Sequence, residues 1–332
     1  MAEKRPSLAT RYLGLDLPSP IIAGSCGLTN SLENIVRCAE AGAGAVVLKS
    51  IFEEQITAEV ADLVEKSQDS FLHPEAAEYV RAYGQADAVG KYLNLIREAK
   101  QAVSIPVIAS VHCVSPGSWT DFSRQAEEAG ADALELNVFI MPADVRRAGT
   151  QIEQIYFDII REVTARSSIP VALKISTFFS GLAQTILKFS RSGIAGLVLF
   201  NHFHRPDFDI DALKIIPAPL FSTPDEIYLP LRWVALMSGE VECDLAASTG
   251  IHDGAGAIKQ LLAGAAATQV ATVLYRQGID HIRVMNDEIS AWMDQHGYTE
   301  IDAFRGKLSQ ERSEDPGAFE RVQFMKMSVG VE

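Results

Sequence analysis

Lys49 and Lys174 each close a run of aliphatic residues, AVVLK and PVALK. Asn137 and Asn201 close two more, ALELN and GLVLFN. An ammonium at the end of an apolar run must stay solvated or find a partner, because an unpaired buried charge is costly. One such lysine is an ordinary side chain snorkelling to solvent. Two lysines and two asparagines in equivalent places instead mark a polar ligand site.

Ser248-Thr249-Gly250-Ile251 opens onto a helix beginning about Asp253, and Ala271-Thr272-Val273 follows another apolar run. Backbone N–H groups at such turns, with a helix N-terminus behind them, suit a phosphate. The hydroxyls of Thr249 and Thr272 would add donors. His202 and His204 have a metal-like spacing, yet no third ligand lies nearby, so a polar loop pair is expected and no metal. Cys26 and Cys113 read as small core residues, and His112 as a packed residue at a strand end. The glycines of AGAGAVV precede a strand instead of following one, which removes a dinucleotide fingerprint.

These residues need a scaffold that gathers strand ends. Four times the chain writes a helix-ending glycine, small residues and an apolar run: EAGAGAVVLKS, EAGADALELNV, RSGIAGLVLFN and LAGAAATQVATVL. The glycine suits a left-handed helix cap, and the aliphatic run a strand buried on both faces. SPIIAGS, IPVIASVH, IPVALKIS and CDLAASTGI supply four more strands, and amphipathic helical patterns fill the gaps. The strands are expected near 20–24, 45–49, 106–111, 133–138, 171–175, 196–201, 244–248 and 269–274.

Eight alternations predict an α/β fold, a (β/α)8 TIM barrel, with the polar residues gathered at the C-terminal mouth. One domain over 1–332 is expected, with long connections after strands 2 and 6 roofing the mouth and a charged C-terminal tail outside.

Composition sets the limits. The 332 residues are 48% hydrophobic, enough for one large core, and the net charge of −14 argues against a nucleic-acid partner. The N-terminus lacks the apolar segment of a secretory signal, and no stretch is apolar enough to cross a bilayer. Four scattered cysteines without a CxxC pair fit a reducing cytoplasm.

At these residues the sequence resembles the dihydroorotate dehydrogenase family, especially its soluble class 1-like branch. The likeness runs from YLGLDLPSPIIAGSCGLT to FRGKL and rests on order and spacing: Ala23-Gly24-Ser25, Lys49-Ser50, ELN ending at Asn137, Lys174, Asn201, and STGI-x-DGxGAIKxLLAGA leading to VATVL. The resemblance implies an FMN-containing barrel that oxidises dihydroorotate to orotate in pyrimidine biosynthesis. Lys49 and Lys174 would support the isoalloxazine, with Ala23, Gly24, Ser25 and Ser50 around it. Thr249, Gly250, Ala271 and Thr272 would hold the phosphate, and Asn137 and Asn201 would lie near flavin and substrate. A homodimer is a further expectation from the soluble relatives.

The chain departs from the family pattern in three places. After ELN the family carries a Ser-Cys-Pro-Asn type of loop whose Cys or Ser is the general base. Here Val138-Phe139-Ile140-Met141-Pro142-Ala143 offers no proton acceptor. The family's substrate loop after strand 2 is also missing, and Ser-Thr-Gly stands where paired glycines are usual. The base is therefore unassigned, with His202, His112 and Cys113 as candidates and His204 or His73 further possibilities. The competing readings are a flavin barrel with a more apolar substrate, a barrel that binds FMN or another phosphate ligand without turnover, and a lyase or isomerase acting on a phosphorylated metabolite.

Overall fold

The computed structural model describes residues 6–52, 74–112, 116–202 and 205–320. Cys113, His204 and His73, and most of the connection after the second strand, lie outside the described residues. Eight parallel strands form the centre: β1 (Ile21–Ala23), β2 (Ala45–Val47), β3 (Val107–His112), β4 (Ala133–Asn137), β5 (Val171–Ile175), β6 (Gly196–Leu199), β7 (Asp244–Ser248) and β8 (Ala267–Val270). Each pairs with the next, β8 pairs with β1, and Ile51–Phe52 adds a short rung beside β3. The circuit is closed, so the chain is a (β/α)8 TIM barrel.

Period-two alternation assigns the inward side chains. Ala45, Ala133, Ala172, Ala246 and Ala267 share one interior cluster with Ile22, Val47, Ile108 and Val198. Small residues at this level leave room for a plug. An N-terminal hairpin, Thr10–Tyr12 with Leu15–Leu17, inserts Tyr12, Leu13 and Leu17 into that cluster. The Leu13 N–H donates to Asp244 on β7 at 2.7 Å. Gly196 is required by the same fit, since a Cβ there would lie 2.5 Å from Leu13 Cδ2.

Helices α1 (Leu32–Glu40), α2 (Pro74–Ala102), α3 (Pro116–Glu128), α4 (Gly149–Thr164), α5 (Leu182–Ser190), α6 (Tyr228–Met237) and α7 (Gly254–Ala263) connect successive strands. After β6 the chain also makes an exposed hairpin, Pro206–Asp209 with Lys214–Pro217, before α6. Residues 306–310 lie along α6 and α7, with backbone bonds from Gly306 to Leu261 and from Gln310 to Ala235.

The last strand sits earlier than the sequence pattern predicts. It ends at Val270, and Thr272–Gln277 is helix α8, followed by α9 (His281–His296). The run VATVL is apolar but for Thr272 and rich in β-branched residues, so strand and helix read as one element. The chain turns at Ala271 (φ −138°, ψ −59°), and Val273 and Leu274 are buried as the inner face of α8. The sixth strand likewise stops at Leu199, so Phe200 and Asn201 form the start of the loop.

Candidate active site

The strand ends carry a layered polar set. By parity Ser110, Glu135, Lys174, Ser248 and Gln269 point inward one step above the alanines, and Lys49, His112 and Asn137 one step higher. A cavity of about 360 Å³ opens there. Of the expected site residues, Ser25, Lys174, Asn201, Thr249, Gly250, Ala271 and Thr272 line it, as does His202.

Ala23, Gly24, Lys49, Ser50 and Asn137 stand behind or beside that wall. Ala23 is fully buried in β1, and the Gly24 N–H donates to the Val270 carbonyl at 2.8 Å, tying β1 to β8. Ser50 is the hub of a hydroxyl chain. Its Oγ lies 3.1 Å from Ser25 Oγ and 2.7 Å from Ser110 Oγ, and it accepts from Asn137 Nδ2 at 3.5 Å. Asn201 Nδ2 in turn donates to Asn137 Oδ1 at 2.7 Å. Ser25, Ser50, Asn137 and Asn201 are thus one connected network across four strands.

The two lysines differ. Lys174 is nearly buried; its ammonium donates to Gln269 Oε1 at 2.8 Å and lies 3.6 Å from Glu135 Oε1. Gln269 Nε2 donates to the other Glu135 oxygen. Lys49 is half-buried, and its ammonium has no hydrogen bond or ion pair among the described residues.

At the phosphate-like turn, Thr249 (φ 80°) and Gly250 (φ 77°) are both left-handed. Strain at a threonine persists only where surrounding structure enforces it. Its hydroxyl donates to the Phe200 carbonyl at 3.0 Å, and a Cβ on Gly250 would fall 2.1 Å from the Ile227 nitrogen. Helix α7 does not present a free N-terminus. Asp253 accepts from the Gly256 N–H at 2.7 Å, and Glu288 from the Gly254 N–H at 2.5 Å. Two carboxylates therefore occupy two of the donors that a ligand anion would use.

Thr272 is placed differently. Its Oγ1 accepts from the Ser222 N–H (3.2 Å) and hydroxyl (3.1 Å), which leaves its own hydrogen free to donate. Ser222 also meets His252 Nε2 at 3.2 Å. Burial, then the nearby Arg276 charge, lowers the His252 pKa and favours the neutral ring. A neutral ring with its proton on Nε2 completes a donor chain running His252 to Ser222 to Thr272.

Among the candidate bases, His112 Nδ1 lies 2.6 Å from the Asn137 carbonyl, and His112 does not line the cavity. His202 does line it, beside Asn201, and its Nε2 is 3.4 Å from Glu226. Burial works to raise the Glu226 pKa, but the Thr223 N–H, His202 and Arg205 outweigh it and hold the carboxylate below its usual range. The loop after β4 is apolar as its sequence indicates. The Phe139 and Phe178 rings meet at a tilt of 50° with centroids 6.3 Å apart, and the Ile140 N–H donates to the Tyr156 hydroxyl at 3.2 Å.

Sequence reasoning did not single out Glu135, Gln269, Ser222 or Glu226. The first two were detectable: Glu135 is two residues from Asn137 and so shares its face, and Gln269 interrupts an apolar run. Ser222 and Glu226 lie in the connection after β6, where no periodicity fixes a side chain's direction. Among the described residues no three His, Cys, Asp or Glu side chains form a metal-type cluster, and no helix is long and apolar enough to cross a membrane.

Comparison with known proteins points to one family. A family model described as dihydroorotate dehydrogenase matches residues 7–293. The chain is 26% identical over 313 residues to dihydroorotate dehydrogenase B (NAD(+)), catalytic subunit, of Thermoplasma volcanium, covering 90% of this chain and 97% of that one. It is 24% identical over 338 residues to the chloroplastic dihydropyrimidine dehydrogenase (NADP(+)) of Arabidopsis thaliana, covering 93% of this chain and 78% of that protein. A barrel whose mouth carries this polar network, matched over most of its length, belongs to the dihydroorotate dehydrogenase family of oxidoreductases.

Proposed function

We propose that this protein is an FMN-dependent dehydrogenase that oxidises a small reduced heterocycle, with its acid–base group moved away from the loop after β4. One observation carries the reading. A single cavity is lined both by the nearly buried Lys174 ammonium and by the left-handed Thr249–Gly250 turn. The first suits, as a fixed hydrogen-bond donor, the polar edge of a ring system, the second a phosphate.

The residues fit FMN on these grounds. Lys174, Lys49, Ser25 and Ser50 would face the ring system, with Ala23 and Gly24 supplying backbone walls. Gly250 and Ala271 would offer N–H groups, and Thr272 a hydroxyl, to the phosphate. Thr249 would contribute backbone alone, its hydroxyl being engaged by Phe200. Bound there, the flavin supplies two-electron redox chemistry.

Asn137 and Asn201 would bind the substrate, since linked carboxamides match a cyclic diamide such as a dihydropyrimidine. Phe139, Ile140 and Met141 would exclude water above it. His202 is our candidate for the proton acceptor: a carboxylate at Nε2 fixes that proton and leaves Nδ1 with a lone pair. The names of the relatives offer two substrate types, dihydroorotate and a dihydropyrimidine. The apolar loop favours the uncharged one. The same reading makes the chain one barrel domain in the cytoplasm, taking a small molecule and forming a homodimer.

The test is a visible spectrum of purified protein before and after incubation with FMN, then anaerobic addition of dihydroorotate or 5,6-dihydrouracil. Bleaching by either identifies the substrate type. A flavin band unmoved by both removes dihydropyrimidine chemistry and leaves the flavin barrel. Failure to bind FMN removes the flavin reading itself.

A further inference from the structure

Glu135 is a carboxylate in the middle of a barrel strand, 1% exposed, and neither lysine argument nor substrate binding uses it. It sits on β4 beside β5, in register with Ala172, two residues before Lys174. Its oxygens are treated unequally. Oε2 accepts from Gln269 Nε2, whereas Oε1 accepts no hydrogen bond and faces the Lys174 ammonium at 3.6 Å. Gln269 reaches over from β8 and serves both partners, its amide nitrogen toward Glu135 and its oxygen toward Lys174.

Such a buried pair persists only because each charge compensates the other. Lys174 and Gln269 line the cavity, and Glu135 does not. The cavity floor therefore shows an ammonium whose charge is cancelled from below. Lys49, with no ionic partner among the described residues, is the contrasting case.

We propose that Glu135 is a positioning residue that sets the charge of the flavin site. It holds Lys174 at the floor as a fixed hydrogen-bond donor of nearly cancelled charge, and leaves Lys49 to supply the net positive charge that favours the reduced ring. The proposal rests on the flavin reading above.

The test is the flavin midpoint potential of FMN-loaded protein, measured for wild type, Glu135→Gln, Lys174→Met and the double variant between pH 6 and 9. Glu135→Gln keeps the shape and removes the negative charge, so the potential rises above wild type. The other groups around Glu135 are the Tyr12 and Tyr92 hydroxyls, both pushed up by burial and so protonated throughout this range.

Lys174→Met, leaving the carboxylate alone, lowers the potential, and removing Glu135 as well restores it toward wild type. If Glu135→Gln alone does not fold, the double variant, whose floor carries no unpaired charge, keeps the test alive: its potential stays near wild type, and a fall well below wild type overturns the proposal. Equal potentials in Lys174→Met and the double variant, or an unchanged or lowered potential in a folded Glu135→Gln, overturn the proposal. Absence of FMN binding by wild type is a separate result, and it overturns the flavin reading on which this one stands.

Discussion

The Asn201 amide donates to the Asn137 side-chain oxygen at 2.7 Å, bridging the ends of β6 and β4 across the strand that carries Lys174. The bridge uses one acceptor of Asn137 and one donor of Asn201, and so fixes which groups each amide turns toward a ligand. With Asn137 Nδ2 directed to Ser50, the free capacity lies on Asn201 Oδ1, an acceptor, and on the second hydrogens of both amides.

Asn201→Ala is expected to keep the flavin and lose substrate affinity. It also strands the Asn137 oxygen, at a cost of about 1–3 kcal/mol, or roughly 5- to 150-fold. Anaerobic flavin reduction against substrate concentration reads this as a raised half-saturation. An unchanged value would remove Asn201 from the substrate site.

His202→Asn is expected to leave flavin content intact and slow flavin reduction by about 10²–10⁴. Glu226→Gln should slow flavin reduction as well, because the Glu226 carboxylate 3.4 Å from His202 Nε2 orients the ring. A rate in His202→Asn equal to wild type would place the base elsewhere.

Ser222→Ala removes the link between Thr272 and His252 and should weaken FMN by about 1 kcal/mol, some fivefold, in a fluorescence titration. The lowered His252 pKa also carries a stability signature. The folded state disfavours the charged ring, so this contribution is complete above the unfolded value near 6.5 and is lost as pH falls through the folded value. Melting temperature should accordingly drop on acidification from pH 7, and His252→Asn should flatten part of that slope.

Gly196→Ala is expected to destabilise by about 1–3 kcal/mol, since its Cβ would strike Leu13 of the barrel plug. Chemical denaturation measures the loss. Pairing it with Leu13→Ala should give less than the sum of the two single effects, and strict additivity would show that the plug is not the obstacle.

Much of the barrel was legible in the chain because strands buried on both faces leave a plain mark. IPVIA and IPVAL are apolar throughout, and a glycine-ended helix precedes every other strand. Parity did the same for chemistry: Ala133, Glu135 and Asn137 must share a face once ALELN is a strand. The eighth strand reads too late in the chain because β-branched Thr272 and Val273 fit a strand locally, whereas the backbone turns at Ala271 and buries Val273 and Leu274 as the inner face of a helix.

The sequence by itself determined the barrel, the rank of polar residues at its mouth and the loss of a proton acceptor after β4, all of which depend on local pattern and residue type. Only the tertiary structure decided the partners. Lys174 meets Gln269 across 95 residues of chain, and Ser222 meets Thr272 across 50. His202 acquires Glu226 through an insertion that follows no period. Whether a lysine is compensated or a threonine hydrogen is free depends on distances between strands and loops remote in sequence, which closure of the barrel fixes and composition does not.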